Sequence, residues 1–303
     1  MIIVRLQGGL GNQMFQYAFG KTLALKNNTV LKLDLTLLNS SNNADNAIKR
    51  DFELDIFNFK YELANENEIA FYNGYPNGNI FQRLLYKFQK FVHPRNLIIQ
   101  EGNLFNPVYL ETSDNACVVG RWQSEKYFEA CRGEIINELT IKEELLTNSN
   151  YEREILNSNY AVSLHVRRED VVLDNQKKVK RVHLGYNTLS IEYYQKAINY
   201  FINENKNCKF FIFSEDLDWC KKNLDFITNA VFVETEKSKK GMAADLHLMS
   251  ICKSYITSNS TFSWWGAYLG KHQDKKIIAP IEWVNSTFEL SPRNIFPESW
   301  IKI

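Results

Sequence analysis

Two adjacent arginines, Arg167 and Arg168, follow a mostly apolar run at residues 160–166. The run predicts a buried strand, and ligands of open α/β sheets bind at the carboxyl ends of such strands. Paired guanidinium groups at that place can hold a diphosphate through bidentate hydrogen bonds, so no metal ion is needed to neutralise it. A solvated charge run is the alternative interpretation of Arg167-Arg-Glu-Asp170, and the adjoining strand disfavours it.

A hydroxyl-rich segment, Ser258-Asn-Ser-Thr-Phe-Ser263, also follows a predicted strand and opens an apolar helix pattern. The side chains of Ser260 and Thr261 can form an anion site together with the N–H groups of the first helical turn. Phe262 and Ser263 lie in the same turn and are further candidate contacts. The segment therefore predicts a second group of ligands for a phosphate.

A glycine turn, Gly8-Gly-Leu-Gly-Asn-Gln13, separates the first predicted strand from the first predicted helix. Gly9 and Gly11 would let backbone N–H groups approach a phosphate at the helix N-terminus, and Asn12 adds a side-chain amide. A nicotinamide-binding turn is the alternative, with Asp34 about 20 residues on as the ribose ligand. Met14 stands where that pattern needs glycine or alanine, which disfavours an oxidoreductase.

Two further acidic positions follow or lie between predicted strands. Ser214 ends the predicted strand at 209–214 and Asp216 follows it, and Asp216-Leu-Asp218 could be a metal-binding pair. Helix N-capping combined with ligand contact is favoured, because the next helix is predicted to start at Leu217. Asp245 lies on the helix that is predicted before the hydroxyl-rich segment. It either pairs with an amide group of the nucleotide base or is exposed. No metal ligand is predicted.

The spacing of apolar residues predicts an α/β chain with two domains, at residues 1–150 and 151–303. Short strands that alternate with helices indicate parallel sheets, and two such halves make the cleft between them the default binding site. Trp264 and Trp265 are interpreted as core residues. The predicted strands are 2–7, 30–35, 118–122, 160–166, 209–214, 230–234, 254–257 and 276–279, and the predicted helices are 12–26, 125–137, 191–205, 217–224, 243–252 and 261–270. Residues 39–48 are predicted to form a polar loop.

Composition excludes several functional classes. The 303 residues carry 36 basic and 35 acidic side chains, a net charge of +1, which is not the strong basic excess of a dedicated nucleic-acid binder. The 5 cysteines are an odd number without Cys-x-x-Cys pairs, so reduced thiols are predicted. Neither a signal peptide nor a membrane span is recognisable, so a cytoplasmic location is expected.

Taken together, these segments resemble the bacterial α-1,2-fucosyltransferases of glycosyltransferase family 11. The resemblance runs essentially from end to end, and it is specific because the motifs occur in combination. The matching motifs are Gly8-Gly-Leu-Gly-Asn-Gln-Met-Phe-Gln-Tyr-Ala18, His165-x-Arg-Arg-x-Asp170, Phe213-Ser-Glu-Asp216 with Trp219-Cys220, Ser258-Asn-Ser-Thr-Phe-Ser-Trp-Trp-Gly266 and Pro297-Glu-Ser-Trp300.

The resemblance implies two facing Rossmann-like domains of the GT-B type, an N-terminal acceptor-side domain and a C-terminal GDP-fucose-binding domain. It implies an inverting transfer of L-fucose from GDP-β-L-fucose to the 2-hydroxyl of a galactose residue, without metal or cofactor. The implied partners are this donor and a galactose-terminated glycan, with no nucleic acid. The implied context is synthesis of a surface polysaccharide such as O-antigen or capsule, in which a lipid-linked acceptor would bring the protein to a membrane surface.

The resemblance also implies roles for particular residues. Arg167 would be the main pyrophosphate clamp, assisted by Arg168 and by the Ser260–Thr261 turn. His165 and Asp245 would contact the guanine. Asn12 would lie near the bond between fucose and phosphate.

The sequence departs from the family pattern at one position, where Glu169 replaces a glycine between the second arginine and Asp170. A glycine there could serve a positive φ or a close backbone approach, neither of which Glu169 supplies freely. The general base is left open between Asp170, Glu169 and a reaction without a base. The remaining alternatives are another linkage, another GDP-sugar, and a glycan-binding protein without catalysis.

Replacing Arg167 with alanine is expected to lower turnover by about two or more orders of magnitude, because a desolvated charge contact to the departing diphosphate is lost. Steady-state turnover of the folded Arg167→Ala variant measures this. A rate within a few-fold of the wild type would contradict the role of Arg167.

Overall fold

The computed structural model of the chain describes residues 1–39, 50–73, 96–102, 104–146, 149–168, 170–174, 177–181, 188–281, 283 and 295–303. It divides into two compact units, Met1–Thr140 and Ile141–Ile303. The sequence placed this division after residue 150, ten residues further on. The structure assigns the intervening residues to the second unit, where the turn at Glu143–Leu145 packs against a helix at Lys239–Ser250.

The first unit is built on five parallel strands in the order β3-β2-β1-β5-β4. Ile2, Ile3 and Val4 of the central strand are fully buried, as expected for a strand covered on both faces. The elements are β1 (Ile2–Arg5), α1 (Leu10–Lys26), β2 (Leu31–Asp34), α2 (Thr36–Asn39), β3 (Glu62–Leu63), α3 (Glu66–Asn73), β4 (Asn96–Ile99), β5 (Ala116–Val119) and α4 (Arg132–Glu138). Short 3₁₀ turns lie at Leu54–Ile56, Pro107–Glu111, Glu125–Tyr127 and Glu129–Cys131.

Helix α1 lies directly on the sheet because Gly20 has no side chain. A Cβ atom at Gly20 would lie 2.9 Å from Leu31 Cδ1 and 3.1 Å from Val4 Cβ. The helix is buried along most of its length, including Phe15 and Phe19. This packing fixes the first turn of α1 beside the carboxyl ends of β1 and β5.

Two predictions for the first unit are wrong in their bounds. The strand predicted at 118–122 is β5, which ends at Val119, because Trp122 takes φ 54° and cannot continue an extended strand. The helix predicted at 125–137 is two 3₁₀ turns followed by α4. Phe128 takes φ −141° and ψ 12°, and with Tyr127 it is fully buried, so the burial of two consecutive aromatic rings interrupts the helix.

The second unit is built on six parallel strands in the order β10-β9-β6-β11-β12-β13. Its strands are β6 (Tyr160–Val166), β7 (Asp170–Asp174), β8 (Lys177–Arg181), β9 (Cys208–Ser214), β10 (Ala230–Phe232), β11 (Ser254–Ile256), β12 (Ile277–Ala279) and β13 (Ile301–Lys302). Its helices are α5 (Asn150–Leu156), α6 (Ile191–Glu204), α7 (Leu217–Asn223), α8 (Lys239–Ser250) and α9 (Thr261–Tyr268). The predicted α/β class, with two units that each hold a parallel sheet, is confirmed.

Strand order in the second sheet reverses between β6 and β11. The chain runs from β6 outward to β9 and β10, and from β11 outward on the other side to β12 and β13. Residues of α6 and α7 share one buried apolar cluster with the sheet, and α8 and α9 pack against each other. The carboxyl ends of β6 and β11 therefore border a crevice, the place where open α/β sheets bind ligands.

Several other expectations have an outcome in the structure. Trp264 and Trp265 are fully buried, which confirms their assignment to the core. All five cysteines are buried and unpaired with one another. The antiparallel hairpin of β7 and β8 was not predicted. Most of the predicted polar loop, residues 40–48, lies outside the described residues. Within the described parts of the chain, no helix is long and apolar enough to cross a membrane.

Candidate functional site

A hydrogen bond joins the two strand ends that border the crevice of the second sheet. His165, on β6, and Ser258, two residues after β11, have Nδ1 and Oγ 2.8 Å apart. His165 is 7% exposed, and burial, with a smaller contribution from the charge of Arg167, lowers its pKa to about 3. The imidazole is therefore neutral at neutral pH. It links the two strand ends by a hydrogen bond and adds no charge to the crevice.

The N-terminus of α9 opens at this crevice without a side-chain cap. Ser260 takes the N-cap position in an extended conformation, but its side chain caps no N–H group of the helix. The hydroxyl of Ser263 turns back instead and donates to the carbonyl of Ser260 at 3.0 Å. Thr261 and Phe262 are partly exposed, and the Phe262 ring lies 6.2 Å from that of His165. The first turn thus offers backbone N–H groups and the positive end of the helix dipole to an anion.

The neighbouring helices α7 and α8 differ from α9 in this respect. Asp216 Oδ1 accepts from the N–H of Trp219 at 3.0 Å, and the hydroxyl of Ser238 accepts from the N–H of Gly241 at 3.1 Å. Ser214 Oγ accepts from the N–H of Asp216 at 3.1 Å. The capping prediction is confirmed for Asp216, the N-cap of α7, whereas Ser214 holds the N–H of the cap residue and does not cap the helix. Among the described residues, no three His, Cys, Asp or Glu side chains form a group that could hold a metal ion.

The two arginines follow β6, and the structure holds Arg168 toward β9. Its guanidinium carbon lies 3.9 Å from the ring centroid of Trp219 on α7, a cation–π contact. Its backbone N–H donates to the Glu215 carboxylate at 2.5 Å. Arg167 is partly exposed directly after the strand. The Arg168 side chain is therefore held against α7.

Asp245 lies on α8, partly buried. Its Oδ1 accepts from the hydroxyl of Thr235 at 3.0 Å. Burial raises the pKa of Asp245 to about 7, and the hydrogen bond from Thr235 opposes that rise. The carboxyl group therefore changes charge near neutral pH, and its acceptor strength toward a ligand changes with it.

The glycine turn in the first unit depends most on Gly8, which the sequence did not single out. Gly8 takes φ 76°, and a Cβ atom there would lie 2.5 Å from Asn12 Nδ2. Gly9 is the N-cap of α1 with φ −80°, and it has no side chain to cap the helix. Gly11 is buried in the first turn of the same helix.

Three residues near this turn were missed by the sequence analysis. Gln123 donates from Nε2 to Asn12 Oδ1 at 2.7 Å and is 6% exposed. Arg50 and Glu53 lie beside Gly9, where a Cβ atom would be 3.9 Å from Arg50 Nη1 and 3.7 Å from Glu53 Oε2. Gln123 follows a predicted strand, so the rule that selected Arg167 could have found it.

Asp34 is fully occupied by protein groups. It is completely buried, and Arg5 Nε donates to its Oδ2 at 2.5 Å. The backbone N–H and the hydroxyl of Thr36 donate to its Oδ1 at 2.9 and 2.7 Å. The oxidoreductase interpretation therefore loses the carboxylate that would bind a ribose.

Some predicted site positions fall at the edge of what the structure describes. Asp170 is the first residue of β7, and only its backbone is described. Glu169, which the sequence suggests as a base, lies outside the described residues. The candidate base stays a prediction.

The amino-acid sequence is similar to a known protein family and to several known proteins. The chain matches Glycosyl transferase family 11 over residues 84–303. It is 29% identical over 311 residues to the Alpha-1,2-colitosyltransferase of Escherichia coli, covering 100% of this chain and 99% of that protein. It is 29% identical over 310 residues to the O-antigen biosynthesis glycosyltransferase WbnK of Escherichia coli, covering 98% and 99%.

More distant similarities extend to other organisms. Galactoside alpha-(1,2)-fucosyltransferase 1 of Sus scrofa is 28% identical over 144 residues, which are 47% of this chain and 38% of that protein. Among solved structures, the NodZ alpha-1,6-fucosyltransferase co-crystallized with GDP is 12% identical with a TM-score of 0.49, covering 88% of this chain and 91% of that one.

Gly8→Ala is expected to cost about 1–3 kcal/mol of unfolding free energy, because it forces a side chain into a left-handed conformation and against Asn12. Gly9→Ala is the matched control and is expected to cost less than about 1 kcal/mol, since only a helix cap changes. Urea unfolding of both variants measures the difference. Equal losses would contradict the special demand at Gly8.

Proposed function

Because the chain belongs to glycosyl transferase family 11, we propose that it transfers L-fucose from GDP-β-L-fucose to the 2-hydroxyl of a galactose residue in a glycan acceptor. The transfer inverts the anomeric centre and needs neither metal nor cofactor. The name of the WbnK relative supports a role in O-antigen synthesis. The single observation that carries the donor assignment is the uncapped N-terminus of α9, which lies beside the end of β6. Arg167 is the residue that directly follows β6.

The pyrophosphate of the donor would bind at this helix end. Departure of GDP places negative charge on the leaving phosphate, and prearranged N–H groups and a guanidinium stabilise that charge. Arg167 supplies the guanidinium, and the turn at Ser260–Ser263 supplies hydroxyl and backbone donors. Arg168, anchored on Trp219, adds positive potential from the β9 side. These groups take the place of a general acid or a metal ion.

The reaction then needs an acceptor hydroxyl on the face opposite to GDP. A transition state with oxocarbenium character demands little of the nucleophile, so a weak base or none suffices. Asp170 and Glu169 are the candidates for a base. Gly9, Gly11 and Asn12 are proposed to approach the donor at the bond between sugar and phosphate.

Guanine is proposed to be read by a neutral imidazole and a carboxylate. His165 stays neutral because it is buried, so it contributes orientation rather than charge. Asp245, when ionised, can accept hydrogen bonds from the N–H groups that guanine carries at N1 and N2. This pairing would favour a guanine nucleotide over an adenine nucleotide, which has no such pair of donors.

Colitose is a second candidate for the transferred sugar. One relative that is similar over the full chain is named an alpha-1,2-colitosyltransferase, whereas the similarity to the fucosyltransferase of Sus scrofa covers 47% of this chain. Colitose lacks the hydroxyl that fucose carries at carbon 3. A site built to hydrogen-bond that hydroxyl would reject colitose strongly, while a site without such a group would accept both sugars.

Incubation with lactose and EDTA, with either GDP-fucose or nucleotide-activated colitose as donor, tests the assignment. Fucosyllactose with an α-1,2 linkage, formed at an undiminished rate in EDTA, is the expected product. Transfer from the colitose donor alone would replace fucose by colitose, and loss of activity in EDTA would contradict metal independence. Absence of GDP release with both donors would favour a glycan-binding protein.

Affinity for GDP-fucose is expected to fall roughly tenfold between pH 8 and pH 6, because only ionised Asp245 accepts from guanine and its pKa is about 7. A nucleotide sugar is the right probe, since it has no terminal phosphate that titrates in this range. Isothermal titration calorimetry of the wild type and of Asp245→Asn measures the effect.

The Asp245→Asn variant should bind weakly with a flat pH profile. Asp225→Asn, at an exposed position, is the control and should keep the pH dependence of the wild type. A wild-type affinity that does not change over this range would remove Asp245 from guanine recognition.

A further inference from the structure

We propose that Gln123 is a positioning residue, which turns the Asn12 amide so that its N–H groups, and not its carbonyl oxygen, face the transferred sugar. The inference rests on the proposed function for the identity of the ligand. It adds a residue and a definite amide orientation to that function.

The contact between the two amides leaves Asn12 with one kind of group to offer. Gln123 Nε2 donates to Asn12 Oδ1 at 2.7 Å, and Gln123 is 6% exposed. An asparagine amide has one acceptor oxygen and two N–H donors. Since the oxygen is engaged by Gln123, the partly exposed Asn12 presents its donors to a ligand.

The turn after β1 holds the same amide from its other side. Asn12 Nδ2 lies over the α-carbon of Gly8, where a Cβ atom would approach it to 2.5 Å. Gly8 takes φ 76°, so the turn needs glycine for its own conformation as well as for the space. The amide of Asn12 is thus confined between Gly8 and Gln123.

The loop after β5 is built in a way that fixes Gln123. Gln100 Oε1 accepts from the backbone N–H groups of Arg121 and Trp122 at 2.8 and 2.9 Å. Gly120 has no room for a Cβ atom, which would lie 2.5 Å from Gln100 Cβ. These contacts hold the three residues before Gln123 against Gln100, which directly follows the neighbouring strand β4.

Trp122 carries a strained backbone directly before Gln123. Its φ of 54° is rare for a bulky side chain. The indole is fully buried and stacks on Phe19 of α1 at a centroid distance of 4.2 Å. Strain of this kind persists only where the surrounding structure enforces it, and it often lies beside functional groups. Here it directs the next side chain toward the first turn of α1.

The orientation of the amide matters for the chemistry. Charge develops on the phosphate oxygen that leaves the sugar, and an N–H donor aimed at it lowers the barrier. An amide turned the other way would present a carbonyl oxygen and repel that charge. Gln123 therefore acts on catalysis through Asn12, without contacting the substrate.

The Gln123→Glu variant is expected to reverse the orientation of the Asn12 amide, while the side chain at position 123 keeps its size. The ionised carboxylate can only accept, so Asn12 must turn its N–H groups toward it. At pH 8 we expect kcat to fall roughly tenfold to a hundredfold, with a smaller change in the KM for the donor. At pH 5.5 the carboxyl group, protonated in its buried position, can donate to Asn12 again, and activity relative to the wild type should recover.

Gln123→Ala should lose about tenfold in kcat at every pH, because the amide is released rather than reversed. Gln195→Glu, on an exposed part of α6, is the matched control and should behave as the wild type. In an Asn12→Ala background, Gln123→Glu should have no further effect, because the residue through which it acts is gone. Should Gln123→Glu fail to fold, Asn12→Asp serves as the second variant, since it keeps the bond from Gln123 but loses the donors, and it should lose kcat comparably.

A spectroscopic reading separates this inference from the identity of the sugar. In ¹⁵N-labelled protein, the Asn12 side-chain signals are identified by their loss in Asn12→Ala. The NMR chemical shifts of these signals should change between pH 5.5 and pH 8 in Gln123→Glu and should not change in the wild type. If the wild type transfers neither sugar, the proposed function fails while these signals still decide the orientation.

The inference would be overturned by wild-type kcat for Gln123→Glu at pH 8, by an equal loss at both pH values, or by Asn12 signals that Gln123→Glu does not change. Additive losses of the Asn12 and Gln123 variants would also show that Gln123 does not act through Asn12.

Discussion

The hydrogen bond between His165 Nδ1 and Ser258 Oγ joins the strand ends at which the second sheet reverses its order. The chain leaves β6 toward one side of the sheet and β11 toward the other, which leaves an opening above the two strand ends. A buried, neutral imidazole spans it without introducing a charge that would compete for an anion. The positive potential at the crevice then comes from Arg167 and from the uncapped turn of α9, which is where the proposed pyrophosphate needs it.

The first unit has a similar arrangement at the start of its first helix, with different side chains. Its helix α1 begins at Gly9, which has no side chain to cap it, and a side-chain hydrogen bond again links residues that follow two neighbouring strands, here Asn12 after β1 and Gln123 after β5. The pair consists of neutral amides rather than an imidazole beside arginines. Amides suit oriented hydrogen bonds to a sugar or to a leaving oxygen, whereas guanidinium groups suit a diphosphate. The two turns therefore offer different kinds of hydrogen-bond donors.

The order of strands and helices in the second unit was largely predictable, because buried parallel strands read as apolar runs between amphipathic helices. The strand at Tyr160–Val166 has the predicted bounds, and the helix from Ile191 ends one residue early. The hairpin of β7 and β8 was not predictable, since its second strand, Lys177–Arg181, is almost entirely charged and has no buried period. In the first unit, β3 has only two residues and the turns around Phe128 follow the packing of neighbouring rings, which a local pattern does not record.

The sequence alone determined which chemical groups stand at the ends of strands, because local apolar runs mark the strands and the polar motifs follow them directly. It therefore pointed to Arg167, Asn12 and the turn at Ser258–Ser263. Only the tertiary structure decided what each group contacts. Asp34 is taken up by Arg5, Arg168 lies on Trp219, and Gln123 orients Asn12 from 111 residues away. The periodicity of apolar residues in a sequence indicates whether a residue is buried. A hydrogen bond between distant residues depends instead on which strands become neighbours in the folded protein.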